Sequence, residues 1–224
     1  MRRPPLTIAG VYAILDFPYP HSLAPSEVAR AVIDGGAKLV QVRAKSADAV
    51  ERRRLVEAIA GPCSAAGIPL IVNDDLELAE SGIEGVVGVH LGQTDLARLG
   101  ADARSRTRRR EQLRDRGLAL GVSTHDLVQL RAALTLDPDY VGFGPVFATT
   151  SKVDTDPVVS LEGLARACDQ SQVPVVAIGG IDCSRAGLVG RAGASAIAAI
   201  GALTGGTVET IRARTFALAR AFAD

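Results

Sequence analysis

The sequence has little cysteine, and the three it contains, Cys63, Cys168 and Cys183, are odd in number and widely spaced. None has a paired cysteine or histidine nearby, so neither a disulfide framework nor a zinc site is supported, and all three read as small hydrophobes. Net charge is also missing: 25 lysines and arginines balance 25 aspartates and glutamates. No global field points to nucleic acid or a membrane surface, and an anionic ligand has to be caught locally. No apolar run approaches the ~20 residues of a spanning helix. The amino end, "MRRPPLTIAG", passes from two arginines straight to prolines. A cytoplasmic protein without membrane or nucleic-acid partners is expected. No linker splits the 224 residues, 47% of them apolar, so one domain over 1–224 with a substantial core is expected.

What the sequence does have is alternation. Eight short β-branched runs recur: "IAGVYAILD", "KLVQVRA", "IPLIVND", "GVVGVHL", "LALGV", "DYVGFG", "VPVVAIGG" and "ASAIAAIG". Between them lie segments of helical period such as "PSEVARAVIDGG", "DAVERRRLVEAIA", "THDLVQLRAAL", "LEGLARACDQ" and "SRAGLVGRAG", and a last helix is expected from about Val208 to Ala223. Strand alternating with helix implies a parallel sheet covered on its outside. Eight units favour a closed α/β (βα)8 barrel, the TIM-barrel architecture. A doubly wound open sheet is the alternative, but its Gly-rich fingerprint is absent from "LDFPYPHS". The stretch "RSRTRRREQLRDRG" could suggest a nucleic-acid patch; Glu111, Asp115 and the neutral total favour a solvated helix face.

In such a barrel the active site lies at the carboxyl ends of the strands. On the second strand, alternation places Leu39, Gln41, Arg43 and Lys45 on one face and Val40, Val42 and Ala44 on the other. Two cations at the mouth without partners would carry a large desolvation cost, so an anion is expected there, with internal salt bridging as the alternative. The third strand ends in Asn73, Asp74 and Asp75, and the fourth runs through His90 to Gln93 and Asp95. Carboxylates from adjacent strands suit Mg²⁺, which takes oxygen ligands, keeps waters and shares substrate phosphates. For Asp75 a helix cap is the preferred reading, and for Asp95 metal is preferred over cap. His90 is expected to hydrogen-bond substrate or a side chain. Ser123 and His125 in "GVSTHD" stand too close for a triad and lack the glycines of a nucleophile elbow, so Ser123 reads as a substrate contact and Thr124 or Asp126 as a cap.

The sixth run leads into "GPVFATTSK", whose Thr149, Ser151 and Lys152 supply hydroxyls and a positive charge. It reads as a mobile loop that closes over a ligand. Gly179-Gly180 and the "AIG" of the eighth run stand where such barrels bind phosphate through backbone N–H groups. Two anionic subsites are expected, one lined by Arg43, Lys45, Lys152 and metal, the other by glycine amides.

Together these segments resemble the thiamine phosphate synthase family from about Val11 to Leu203, on "VQVRAKS", "IVNDD", "GVHLGQTDL", "LGVSTHD", "DYVGFGPVFATTSK", "DPVVSLEGL" and "PVVAIGGI". The resemblance implies an enzyme that joins a hydroxymethylpyrimidine diphosphate to a thiazole phosphate, releasing pyrophosphate and forming thiamine monophosphate. It implies that Arg43, Lys45, Asn73 and Lys152 bind the pyrophosphate and that Asp74 and Asp95 hold Mg²⁺. Gln41, His90 and Ser123 would surround the pyrimidine. Thr149, Ser151, Gly180, Ile200 and Gly201 would contact the thiazole phosphate. The implied mechanism is dissociative and needs no protein nucleophile, and a homo-oligomer is compatible with it.

The chain departs from the family pattern at Gly201, where serine is common, and weaker thiazole phosphate binding is expected. It also has Leu15 where a threonine often precedes the aspartate, Ala148 for a frequent proline and Ser151 for threonine. The nearest rival is the thiazole tautomerase-like branch, which tends to lose the lysine and acidic pair that Lys45, Asp74 and Asp95 supply here. A catalytically silent barrel that binds a thiamine precursor and regulates a partner is a third reading, supported only by Gly201.

Overall fold

The computed structural model describes residues 6–19, 23–149 and 156–224. Eight parallel strands close into a barrel in chain order. They are β1 (Gly10–Asp16), β2 (Ala37–Arg43), β3 (Leu70–Asn73), β4 (Val86–Leu91), β5 (Ala119–Thr124), β6 (Tyr140–Phe143), β7 (Val175–Ile178) and β8 (Ala196–Ala199). The intervening and final helices are α1 (Pro25–Asp34), α2 (Ala49–Ala66), α3 (Leu76–Ala79), α4 (Ala103–Asp115), α5 (Leu127–Leu134), α6 (Ser160–Gln170), α7 (Cys183–Arg191) and α8 (Val208–Ala223). Tight 3-10 turns cover Gln93–Leu99 and Gly201–Leu203. β1 pairs with β8 from Gly10 opposite Ala196 to Ala13 opposite Ala199, which closes the ring. The open doubly wound sheet is thereby excluded.

The period-2 alternation of strand side chains divides the core into two layers. Outward residues such as Val11, Ala13 and Leu15 of β1, and Val40 and Val42 of β2, pack against the helices. Inward residues form a smaller cluster inside the barrel that includes Tyr12, Ile14, Leu39, Ile71, Tyr140 and Val176. Burying each Val, Leu or Ile contributes about 1.5–3 kcal/mol, and the outer layer holds most of them. The interior is polar toward the carboxyl ends of the strands, and that is where the candidate site lies.

Aspartates fix where many helices begin. Asp48, Asp75, Asp102, Asp126 and Asp182 each accept a backbone N–H from the first turn of α2, α3, α4, α5 and α7. The capping roles expected of Asp75 and of Asp126 are therefore present. α2 runs six residues beyond the "AIA" at which its sequence segment ended, through Gly61-Pro62. Cys63 continues its buried stripe of Leu55, Val56, Ile59 and Ala60, and Gly67, at φ 65°, ends it. The helix that the Asp75 cap implied is α3, only four residues long, while the turn at Gln93–Leu99 was not anticipated because it is too short to show a period.

The cysteines require a correction. Cys63 is buried and Cys168 partly buried, but Cys183 is exposed at the start of α7 and is not a core hydrophobe. Burial pushes the Cys63 thiol up to about 12 and, with help from Asp169, the Cys168 thiol up to about 11. Among the described residues no helix is long and apolar enough to cross a membrane.

Candidate active site

β2 delivers Gln41 and Arg43 into the barrel, as alternation requires, and the following loop carries Lys45. The pairing of β1 with β2 sets Asp16 opposite Arg43. Arg43 Nη1 donates to both Asp16 oxygens, at 2.6 and 2.5 Å. Lys45 Nζ lies 3.5 Å from Asp74 Oδ2. Each cation thus has a carboxylate partner, so the internal salt bridging given as the alternative is present, and desolvation alone does not require a bound anion. Because Asp16 ends β1 and Arg43 ends β2, their pairing is a cross-strand contact.

β3 ends at Asn73, and Asp74 follows with φ 56°, the left-handed region that aspartate enters more readily than most residues. That turn brings the Asp74 carboxylate back over the neighbouring strand. Its Oδ1 accepts the Gly92 N–H at 2.9 Å, and its Oδ2 accepts Asn73 Nδ2 at 2.6 Å. Asp95 sits in the 3-10 turn after β4, where its carboxylate accepts Arg98 Nε at 2.9 Å and the Thr94 hydroxyl at 3.1 Å rather than capping a helix. Both aspartates border Gly92: a side-chain Cβ there would lie 3.5 Å from Asp95 Oδ2 and 3.7 Å from Asp74 Oδ1. Among the described residues no group of three or more His, Cys, Asp or Glu is placed to hold a metal ion. Asp75 faces away from this pair, held by Arg52 at 2.6 Å.

Below the charged rim lies a polar layer. Gln41 Nε2 donates to the Tyr12 hydroxyl at 2.6 Å, and the Tyr12 and Tyr140 hydroxyls are 2.8 Å apart. The Tyr140 hydroxyl lies 3.1 Å from His90 Nδ1, and His90 Nε2 lies 2.8 Å from Ser123 Oγ. Gly121 makes this possible, since a Cβ there would come within 2.2 Å of the Tyr140 ring. Burial pushes both phenols well above the ordinary tyrosine range, so both remain O–H donors. Ser123 thus meets His90 from β4, not His125. His125 instead places Nδ1 2.6 Å from the Gly144 carbonyl and 3.3 Å from Asp156 Oδ2.

The second expected subsite is a separate cavity. His125, Thr149, Asp156, Gly180, Ile200 and Gly201 border a solvent-open pocket. Gly180, at φ 63°, could not be replaced without collision, because a Cβ would come within 2.5 Å of the Ala148 carbonyl. The β6–α6 segment is tied down at its start by Val146 N–H to Ile178 O at 2.9 Å and Phe147 N–H to Gly179 O at 3.1 Å. Thr150, Ser151 and Lys152, at the end of the expected closing loop, lie outside the described residues. The structure brings Gln41, Arg43, Lys45, Asn73, Asp74, His90, Asp95 and Ser123 to one end of the barrel and Thr149, Gly180, Ile200 and Gly201 to the cavity beside it.

Sequence reasoning missed Tyr12, Asp16, Tyr140 and Asp156. The signal for Tyr12 and Asp16 was available, since the alternation used for β2 places both on the inward face of β1. The arginine-rich segment was also read too simply. On α4, Arg109 pairs with Glu80 at 2.7 Å and Arg114 with Asp137, while Arg110 is buried against Asp139 at 2.9 Å. Three of its arginines thus have carboxylate partners, and of the helix only Arg110 and Leu113 are buried, so most of it is the solvated face expected.

Comparison with known proteins gives a consistent result. The family model for thiamine monophosphate synthase matches residues 11–203. A thiamine-phosphate synthase from Methanocella arvoryzae is 35% identical over 205 residues, covering 91% of each chain. One from Bacillus thuringiensis subsp. konkukian is 37% identical over 185 residues, covering 80% of this chain and 78% of the relative. The solved structure of thiamine phosphate pyrophosphorylase from Pyrococcus furiosus aligns with a TM-score of 0.79 at 27% identity, over 97% of this chain and 96% of that one.

Proposed function

The chain belongs to the thiamine monophosphate synthase family, and we propose that the end of its barrel joins a hydroxymethylpyrimidine diphosphate to a thiazole phosphate. The observation that carries the reading is the pair of carboxylates, Asp74 and Asp95, that both border Gly92, with Lys45 beside Asp74. Among the described residues the rim is balanced, with Arg43, Lys45 and Arg98 set against Asp16, Asp74 and Asp95. A diphosphate gains little from a neutral rim. Two carboxylates with spare lone pairs and a glycine in place of a bulky side chain fit Mg²⁺, which takes its remaining ligands from water and phosphate oxygens. Bound there, Mg²⁺ would neutralise charge on the diphosphate and so favour its departure.

The chain's own residues do the rest. Arg43, held by Asp16, and Lys45 and Asn73, held near Asp74, present N–H donors to the diphosphate, and Lys152 completes the set. Gln41, His90 and Ser123 hold the pyrimidine. The bond between its methylene carbon and the diphosphate oxygen breaks with the electron pair leaving on pyrophosphate. The thiazole nitrogen then donates its lone pair to the methylene cation and forms the new C–N bond. Thr149, Ser151, and the backbone around Gly180, Ile200 and Gly201 hold the thiazole phosphate in the adjoining cavity. A unit-charge contact at 4 Å is worth about 4 kcal/mol at an effective dielectric near 20. A few contacts that strengthen as charge builds on the leaving group therefore reach the range of enzymatic acceleration. We place the reaction in the cytoplasm, with small molecules as substrates.

The test is incubation with both substrates, with and without Mg²⁺, followed by chromatography for thiamine monophosphate. Product is expected only with the metal, and Asp74→Asn is expected to lower kcat/KM by at least about a hundredfold. Asparagine tolerates the left-handed backbone at this position, so the change removes charge rather than fold. Conversion of the thiazole phosphate alone into its isomer would replace this reading with the tautomerase.

A further inference from the structure

We propose that Tyr12 and Tyr140 are positioning residues that set the direction of one line of hydrogen bonds beneath the site, from Gln41 to Ser123. The line crosses five strands: Gln41 on β2, Tyr12 on β1, Tyr140 on β6, His90 on β4 and Ser123 on β5. Its direction follows from the first link. The Gln41 amide nitrogen donates to the Tyr12 oxygen. Tyr12 is completely buried, and its one hydroxyl hydrogen must find an acceptor; the Tyr140 oxygen at 2.8 Å is the one at hand. Tyr140 is then left to donate to His90 Nδ1. A neutral imidazole that accepts at Nδ1 carries its proton on Nε2, so His90 donates to Ser123 Oγ. The hydroxyl hydrogen of Ser123 remains for a ligand.

Two consequences follow. Ser123 meets a donor, not a base, so it is a contact residue and not an activated nucleophile, even though a histidine lies 2.8 Å away. At the other end, one Gln41 N–H is held by Tyr12, which fixes the amide and leaves its oxygen as an acceptor. The site therefore presents an acceptor at the Gln41 end and a donor at the Ser123 end. That pattern complements an aminopyrimidine edge, whose exocyclic N–H donates and whose ring nitrogen accepts. The same pattern disfavours an edge in which a carbonyl replaces the amine. The ligand half of this inference rests on the function proposed above; the direction of the line does not.

The direction is read by long-range ¹H–¹⁵N correlation on the full chain at pH 8, with the His90 signals identified by their loss in His90→Asn. The expected result is a neutral ring protonated on Nε2. A ring protonated on Nδ1, or on both nitrogens, would overturn the proposal. Tyr140→Phe removes the donor to Nδ1, and His90 is expected to change to the Nδ1–H form. The KM for the pyrimidine diphosphate should then rise about tenfold while that for the thiazole phosphate stays unchanged. Tyr12→Phe breaks a different link: it frees Gln41 and raises the same KM, but leaves His90 protonated on Nε2. This variant and the wild-type spectrum keep the test decisive if Tyr140→Phe fails to fold. An unchanged tautomer in folded Tyr140→Phe, or a changed one in Tyr12→Phe, counts against the line. The expected tautomers in a chain that fails to couple the two substrates would support the line and refute the proposed function instead.

Discussion

At position 201 a glycine opens the 3-10 turn that borders the pocket beside the barrel mouth. Its helical backbone is one that serine adopts without strain, so Gly201→Ser adds a hydroxyl donor at the rim of the cavity without reshaping the turn. A hydrogen bond to a charged phosphate contributes about 1.5–3 kcal/mol. Gly201→Ser is accordingly expected to lower the KM for the thiazole phosphate about tenfold or more and leave kcat nearly unchanged, measured by steady-state kinetics. An unchanged KM would remove the phosphate from this turn. Other single residues differed in how readable they were. Gln41, Arg43 and Asp74 stand out in the sequence because polar side chains interrupt β-branched runs. Tyr140 does not, since its meaning lies in what stands across the barrel, and alternation marks Asp16 as inward without naming Arg43 as its partner. Strand register and the space left by Gly121 supply that information, and neither is local in sequence.

Elements were easier to read than their partners. The eight strands and the final helix follow from apolar period, and the aspartate caps mark several helix starts, because these signals are carried by neighbouring residues. The four-residue α3 left no periodic trace. The seam of the barrel was also unreadable, although one glycine dominates it. Gly35, just past α1, packs so closely against α8 that an added Cβ would come 2.5 Å from Thr215 Cβ and 2.6 Å from the Arg212 carbonyl. The second of these is backbone and cannot simply rotate aside. Gly35→Ala is expected to force the first and last helices apart and destabilise the fold by about 1–3 kcal/mol, read as a lower urea midpoint. Both KM values should be unchanged, because the seam lies outside the catalytic end.

On the scale of the whole molecule, the two ends of the barrel divide chemistry from stability. Polar groups at the carboxyl ends converge on substrate-sized space. At the opposite end, Arg110 is buried and hydrogen-bonds the Asp137 carbonyl at 2.7 Å and Asp139 at 2.9 Å, while Asp139 also accepts the Leu120 N–H at 2.7 Å. Arg110→Ala leaves a carboxylate and a carbonyl short of a donor, and a loss of about 3 kcal/mol of unfolding free energy is expected from urea denaturation. Turnover of the folded fraction should match wild type; a selective fall in kcat would mean that the two ends are coupled.

Closure of the sheet has a consequence beyond catalysis. Because β1 and β8 satisfy each other, the ring exposes no unpaired row of amides and carbonyls on which a foreign strand could grow. Fibril-like association of this chain must therefore wait until the ring opens, which ties its tendency to aggregate to the rate of opening.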